Sequence, residues 1–276
     1  MKLKFLAVAI SCVSSVVAFA DPSLTVYQNG SSNQLSVSQP TNYYGYGSND
    51  STYIQQNGSG NRTNVQQVSQ YNWSASSVNV SQDGTNNQAN ASQTESANSS
   101  ASLYQSGYNL ATSVSQYYSA NSAGSVTQQG NDSYASITQN YGYAQSASIN
   151  QSGSFLNASI SQDGSYNNAN VNQYGYANSV SVSQSGSGNN AYVNQYDSLN
   201  NVSLGQFGTN NYAYITQSEQ GNTLSASQYG NGNNLNLTQN GYSNQLYVTQ
   251  NNSYYGSGKQ LTVNQGGYGN YLNINQ

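Results

Sequence analysis

Residues 162–173 read Gln162-Asp163-Gly164-Ser165-Tyr166-Asn167-Asn168-Ala169-Asn170-Val171-Asn172-Gln173. In an extended chain successive side chains point to opposite faces, so Asn167, Ala169, Val171 and Gln173 share one face. The opposite face of the same run carries Asn168, Asn170 and Asn172. Period-two alternation over so short a run argues for a strand rather than a helix. Gly175, two residues after Gln173, stands where a chain reversal needs positive φ.

Working outward from this stretch, the same strand pattern ends at Gln28, Gln39, Gln56, Gln67, Gln82, Gln93, Gln105, Gln116, Gln128, Gln139, Gln151 and Gln162. It continues through Gln173, Gln184, Gln195, Gln206, Gln217, Gln228, Gln239, Gln250, Gln265 and Gln276. The residue two positions before each Gln is Val, Ile or Leu, except for Ala91 and Ala226. Every second gap, beginning with Gln28 to Gln39, is 11 residues long, whereas the intervening gaps run from 11 to 17. The unit is therefore strand-turn-strand, with one tight edge and one edge that accepts insertions. Gly stands two after the Gln in nine of the 11 tight turns, Asp197 and Glu219 being the exceptions. Five residues after a Gln, Asn recurs as Asn33, Asn61, Asn87, Asn167, Asn178, Asn189, Asn200, Asn211, Asn222, Asn233, Asn244 and Asn270.

One strand-turn-strand unit cannot bury its apolar face alone, whereas stacked units place like residues on like. The expectation is an all-β, two-sheet parallel β-solenoid of about 11 strand-turn-strand repeats, amyloid-like in its in-register ladders, roughly 50 Å long at about 4.8 Å per rung. Gln and Asn are expected to form ladders in which each side-chain amide bonds to the identical amide one rung away. The prolines, Pro22 and Pro40, avoid the strands, so no ladder donor is lost. The first and last rungs keep the internal pattern and are expected to be open to another copy, where a soluble monomeric solenoid would carry a polar cap.

Lys2 and Lys4 precede an apolar stretch that ends in Ala18-Phe19-Ala20 before Asp21, the pattern of a secretory leader over residues 1–20. Residues 21–276 then form a single repeat domain. The apolar stretch is shorter than a transmembrane span needs, and no later segment approaches it. Removing the leader takes away the only Cys, Cys12, and leaves Arg62 and Lys259 against eight carboxylates, a net charge of −6. That balance excludes a disulfide framework and a basic nucleic-acid surface. With no His, no mature Cys and the carboxylates scattered along the sequence, neither acid–base catalysis nor a metal or other cofactor is expected. Asp83, Asp163, Asp197 and Glu219 lie at or beside turns, as solvated residues or as gatekeepers against aggregation. Tyr192, Tyr214 and Tyr247 occupy outward positions, where they serve either strand packing or an adhesive surface.

The segments 82–93, 162–173, 184–195 and 206–217 each resemble the Gln-to-Gln half of the repeat S-x5-Q-x-G-x2-N-x-A-x3-Q of the curlin family, and looser copies cover residues 23–276. The resemblance implies a non-enzymatic subunit of secreted curli-type amyloid fibres. It further implies export through a dedicated outer-membrane pore, growth from a nucleator subunit at the cell surface, and roles in biofilm matrix, adhesion and colonisation. The uniform repeats suit a major subunit better than a nucleator. The alternative from another class is a monomeric secreted solenoid that binds a surface such as ice or glycan.

Overall fold

The computed structural model describes residues 15–18, 23–39, 49–68, 75–252 and 257–276. The expected leader is thus described only as a backbone strand, Ser15–Ala18, and the cleavage junction, Pro22 and Pro40 lie outside the described residues. The described chain winds between two all-parallel sheets of 11 and 12 strands. Successive strands alternate between the sheets, and each pairs with the strand two ahead of it in sequence. From residue 23 onward this gives 22 strands stacked as a β-solenoid. Ser15–Ala18 adds a twenty-third, parallel to Gln34–Gln39 with Val16 opposite Val37.

Strand formation follows from the alternation. In Asn157–Ser165 the buried side chains are Ala158, Ile160 and Gln162, with the intervening positions facing solvent. In-register pairing then stacks Gln162 on Gln184 and Ile160 on Val182 in one sheet. In the other it stacks Gln151 on Gln173 and Ile149 on Val171. A slip by one residue would carry every buried side chain to the solvent face. The core between the sheets is a thin layer of Ala, Val, Ile and Leu, among them Ile137, Ile149, Ile160, Val171, Val193 and Ile215, each at most 1% exposed. Full burial of one such Val or Ile is worth roughly 1.5–3 kcal/mol.

The turns stack as closely as the strands. At Gly153, with φ 141°, an added Cβ would lie 1.9 Å from the carbonyl oxygen of Gly175 one rung away. Glycine is needed there for contact between rungs as well as for its dihedral freedom. On the edge that accepts insertions, the turns after Gln162, Gln184, Gln206 and Gln228 also carry Gly at the second position, with φ between 99° and 116°. Through this part of the chain the two edges share one turn type. The longer gaps fall in the rungs before Gln151 and in the loop ahead of Gln265.

The facing assignment predicts opposite outcomes for one added charge at adjacent positions. Val182 is 1% exposed between the sheets, whereas Ser183 faces outward and is half-buried. Burial of a carboxylate raises its pKa by roughly three units or more, about 4 kcal/mol, so Val182→Asp is expected to lower the denaturant midpoint sharply. Ser183→Asp is expected to shift it by less than about 0.5 kcal/mol. Equal midpoints for the two variants would invalidate the assignment.

Candidate functional site

The buried Gln residues form two continuous ladders, one per sheet. In the 11-stranded sheet each Nε2 donates to the Oε1 of the next rung, from Gln28 to Gln56 (2.9 Å), through Gln151 to Gln173 (2.7 Å), to Gln239 and Gln265 (2.8 Å). In the other sheet the same bond runs from Gln39 to Gln67 (2.6 Å), through Gln162 to Gln184 (2.8 Å), to Gln250 and Gln276 (3.2 Å). All these bonds point the same way, donor toward the C-terminal end. Interior Gln residues also reach across the core. Gln162 Nε2 donates to Ser146 O (2.8 Å), and Gln173 Nε2 donates to Asn157 O (3.0 Å), each at the start of a strand in the opposite sheet. One amide therefore fixes the register within its sheet and ties the two sheets together. Thr52 and Thr63 join the ladders where the core position is not apolar: Thr52 Oγ1 donates to Gln67 Oε1 (2.7 Å) and Thr63 Oγ1 to Gln82 Oε1 (2.8 Å).

Asn33, Asn61, Asn87, Asn167, Asn178, Asn189, Asn200, Asn211, Asn222, Asn233 and Asn244 are buried to 1% exposure or less, and Asn270 in the last rung is exposed. Their main bonds differ from the expected amide-to-amide stack. Asn61 Nδ2 donates to Asn57 O (2.9 Å) within its own turn and to Gly84 O (3.0 Å) in the next, while Asn61 Oδ1 accepts from Asn87 N (3.0 Å). The side chain closes its turn and pins the turn above it, which is why it recurs beside the glycine. Amide-to-amide bonds are added in the later rungs, as between Asn211 Nδ2 and Asn189 Oδ1 (3.1 Å). Leu110, Ser133 and Leu156 replace this Asn in three tight turns, and all three are buried.

On the opposite edge a second column does the same work with other residues. Ser76 N donates to Asp50 Oδ1 (2.9 Å), Ser122 N to Ser99 Oγ (3.2 Å), and Gln145 N to Ser122 Oγ (3.1 Å). Gln145 Nε2 then reaches Asn140 O (3.2 Å) and Gly164 O (2.7 Å), as Asn does elsewhere but across a longer turn. The search for Asn five after a Gln missed the first five members of this column, which Asn167, Asn189, Asn211 and Asn233 continue. Counting six residues back from the next Gln finds it, because Asp50, Ser76, Ser99, Ser122 and Gln145 all sit there.

Asp197 and Glu219, scattered in sequence, are brought onto neighbouring turns, where Asp197 Oδ2 accepts from Glu219 N (3.1 Å). Their φ values of 66° and 67° are left-handed, in place of the wider angles of the glycines. Their strands stop early, at Gln195 and Ser218, and the ladder resumes through Tyr176, Ser198 and Gln220. A hydrogen bond to Glu219, with the repulsion of that carboxylate and of Asp197, pushes the exposed Tyr242 phenol above the ordinary value of 10.0. Of the outward tyrosines, Tyr192 stacks in register on Tyr214 in one sheet, whereas Tyr247 lies in the other beside Ser225. Among the described residues no group of three or more His, Cys, Asp or Glu could hold a metal, and no helix is long and apolar enough to cross a membrane.

Residues 145–175, 175–208 and 200–230 each match the curlin associated repeat. No curated protein matches the chain.

Two predictions follow from this geometry. Gln162→Leu removes the donor to Gln184 Oε1 and the acceptor of Gln139 Nε2. It is expected to cost about 1–3 kcal/mol for each buried group left short of a partner, read as a fall in denaturant midpoint. The second concerns alkaline pH. Tyr242 holds its proton more tightly folded than unfolded, so its contact with Glu219 adds stability below the ordinary tyrosine pKa and loses it as pH rises through the raised value. Glu219→Gln is expected to flatten that part of the stability–pH curve, and an unchanged curve would refute the coupling.

Proposed function

We propose that this chain, which matches the curlin associated repeat within residues 145–230, is a structural subunit of extracellular curli-type amyloid fibres, built by stacking the last rung of one copy on the first rung of the next. The observation that carries this reading is where hydrogen bonding fails. Three buried side-chain atoms lack a partner among the described residues: Gln28 Oε1, Gln39 Oε1 and Thr112 Oγ1. Two of the three are the acceptors that begin the two ladders. Ser15–Ala18 lies over Gln39 in the uncleaved chain, and removal of residues 1–20 leaves both oxygens open to a donor from another rung. At the other end Gln265 Nε2 keeps the cross-core bond to Gln245 O (3.1 Å) and bonds Asn270 O (3.0 Å), and Gln276 accepts from Gln250. In a stack, Gln265 and Gln276 would donate to Gln28 and Gln39 of the next copy, continuing both ladders without a change of direction.

Residues 1–20 serve in this reading as a cleaved secretory leader, and residues 21–276 as the fibre-forming domain. Export through a curli-type outer-membrane pore, growth from a nucleator subunit, and service in biofilm matrix, adhesion and colonisation complete the proposal. They rest on the repeat family.

The test is assembly of the chain 21–276. Fibres with a meridional spacing of about 4.7–4.8 Å are expected without any cofactor. The double variant Gln28→Leu/Gln39→Leu, which removes the first bond of each ladder and keeps those from Gln56 and Gln67 onward, is expected to elongate wild-type seeds more slowly. A wild-type chain that stays monomeric for days at high concentration would overturn the reading in favour of a surface-binding monomer.

A further inference from the structure

The outer surface carries tyrosine rings held against one another on neighbouring rungs. Tyr174 and Tyr196 directly follow the register-paired Gln173 and Gln195. Their ring centroids are 5.6 Å apart with planes 7° from parallel, and both side chains are exposed. Asn150 Nδ2 donates to the Tyr174 hydroxyl (3.3 Å), orienting that ring. On the other edge Tyr117, Tyr118 and Tyr141 form a triangle with centroid distances of 4.5, 5.4 and 5.9 Å, and all three are exposed. The composition concentrates one-electron oxidation on these rings. Against 27 Tyr the chain has one Met, one Cys and one Trp, and Met1 and Cys12 both fall within residues 1–20.

We propose that Tyr174 with Tyr196, and the triangle of Tyr117, Tyr118 and Tyr141, are sites of oxidative coupling to dityrosine, which staples neighbouring rungs covalently. The oxidant is hydrogen peroxide acting through a haem peroxidase. Each of two phenols loses one electron and one proton to become a phenoxyl radical. The radicals join through a carbon–carbon bond between ring positions ortho to the oxygens, and each ring recovers its phenol by shifting the ortho hydrogen to oxygen. Overall, two tyrosines and one hydrogen peroxide give one dityrosine and two waters. The backbone ladder supplies what free tyrosine lacks, a second phenol already held at contact distance, so coupling competes well with radical loss to solvent. The Tyr174–Tyr196 staple closes a loop across positions 22 apart in sequence, which restricts the unfolded chain.

The folded chain 21–276 is treated with a haem peroxidase and hydrogen peroxide, digested, and analysed by mass spectrometry for peptide pairs joined with the loss of two hydrogens. Tyr104 is the internal control, being exposed with Ser81 and Thr127 as its rung neighbours. Links between Tyr174 and Tyr196 and within the triangle are expected to exceed any link to Tyr104 by roughly tenfold or more. Tyr196→Phe keeps the ring but is expected to abolish the Tyr174 product while leaving the triangle's product unchanged. Links to Tyr104 of equal yield, the same pattern from chain unfolded in denaturant, or no dityrosine in the folded chain would each overturn the proposal.

Discussion

The structure depends on the buried side-chain amide. Gln162 and its equivalents in the interior rungs, from Gln56 to Gln250, sit between two sheets at 2% exposure or less, where an amide without partners is costly and an amide with partners is only modestly favourable. A stacked identical residue supplies an acceptor for each donor only when the rungs are in register. Apolar packing alone would not impose this, since Val, Ile and Leu interchange along a column, as Ile160, Val182 and Leu204 do. The hydrophobic layer thus provides most of the burial, and the Gln ladders select one alignment out of several that would bury similar area. The second donor of most of these amides, spent on the facing sheet as from Gln162 to Ser146 O, extends the selection to the offset between sheets.

The turns impose a complementary constraint. With adjacent rungs so close that a Cβ at Gly153 would overlap the carbonyl of Gly175, the glycine-bearing turns of the tight edge repeat one backbone path from rung to rung. Asn is suited to the next buried position because it offers two donors and an acceptor on a short stem, enough to close its own turn and bond two groups of its neighbour. Where Leu110 and Leu156 take this place, burial of an apolar side chain replaces the polar closure. The first half of the solenoid accordingly mixes solutions that the second half repeats uniformly.

Much of this was legible because repetition magnifies local rules. Parity around each Gln gave the buried face, and the fixed 11-residue gaps gave the strand pairing into two sheets. What escaped were features that depend on which residues the winding brings together. Asp197 and Glu219 are 22 positions apart in sequence and one turn apart in space. The Ser99, Ser122 and Gln145 column is chemically mixed, so a search for one residue type passes over it. The cross-core bond from Gln162 to Ser146 O depends on the offset between the sheets, which the period of either sheet alone does not contain. Thr52 and Thr63 break the apolar rule in the sequence, yet each finds a Gln of the facing ladder within bonding distance.

Stacking also accounts for the shortage of charge. Any side chain repeated down a column meets its own copy at about 4.8 Å, where like charges repel and no cation stands ready to intervene. Uncharged Ser, Asn, Gln, Thr and Tyr carry no such penalty and can bond or stack along the column, which fits a chain with 4% charged residues. Asp197 and Glu219 are the instructive case, since they stack two acids on consecutive turns. There the Glu219 backbone N–H donates to Asp197, and the Tyr242 phenol bonds Glu219. The same two positions are where the ladder shortens and the backbone leaves the glycine conformation. Adjacent charge is therefore confined to turns that have departed from the repeat, and the column that admits it gives up part of its ladder.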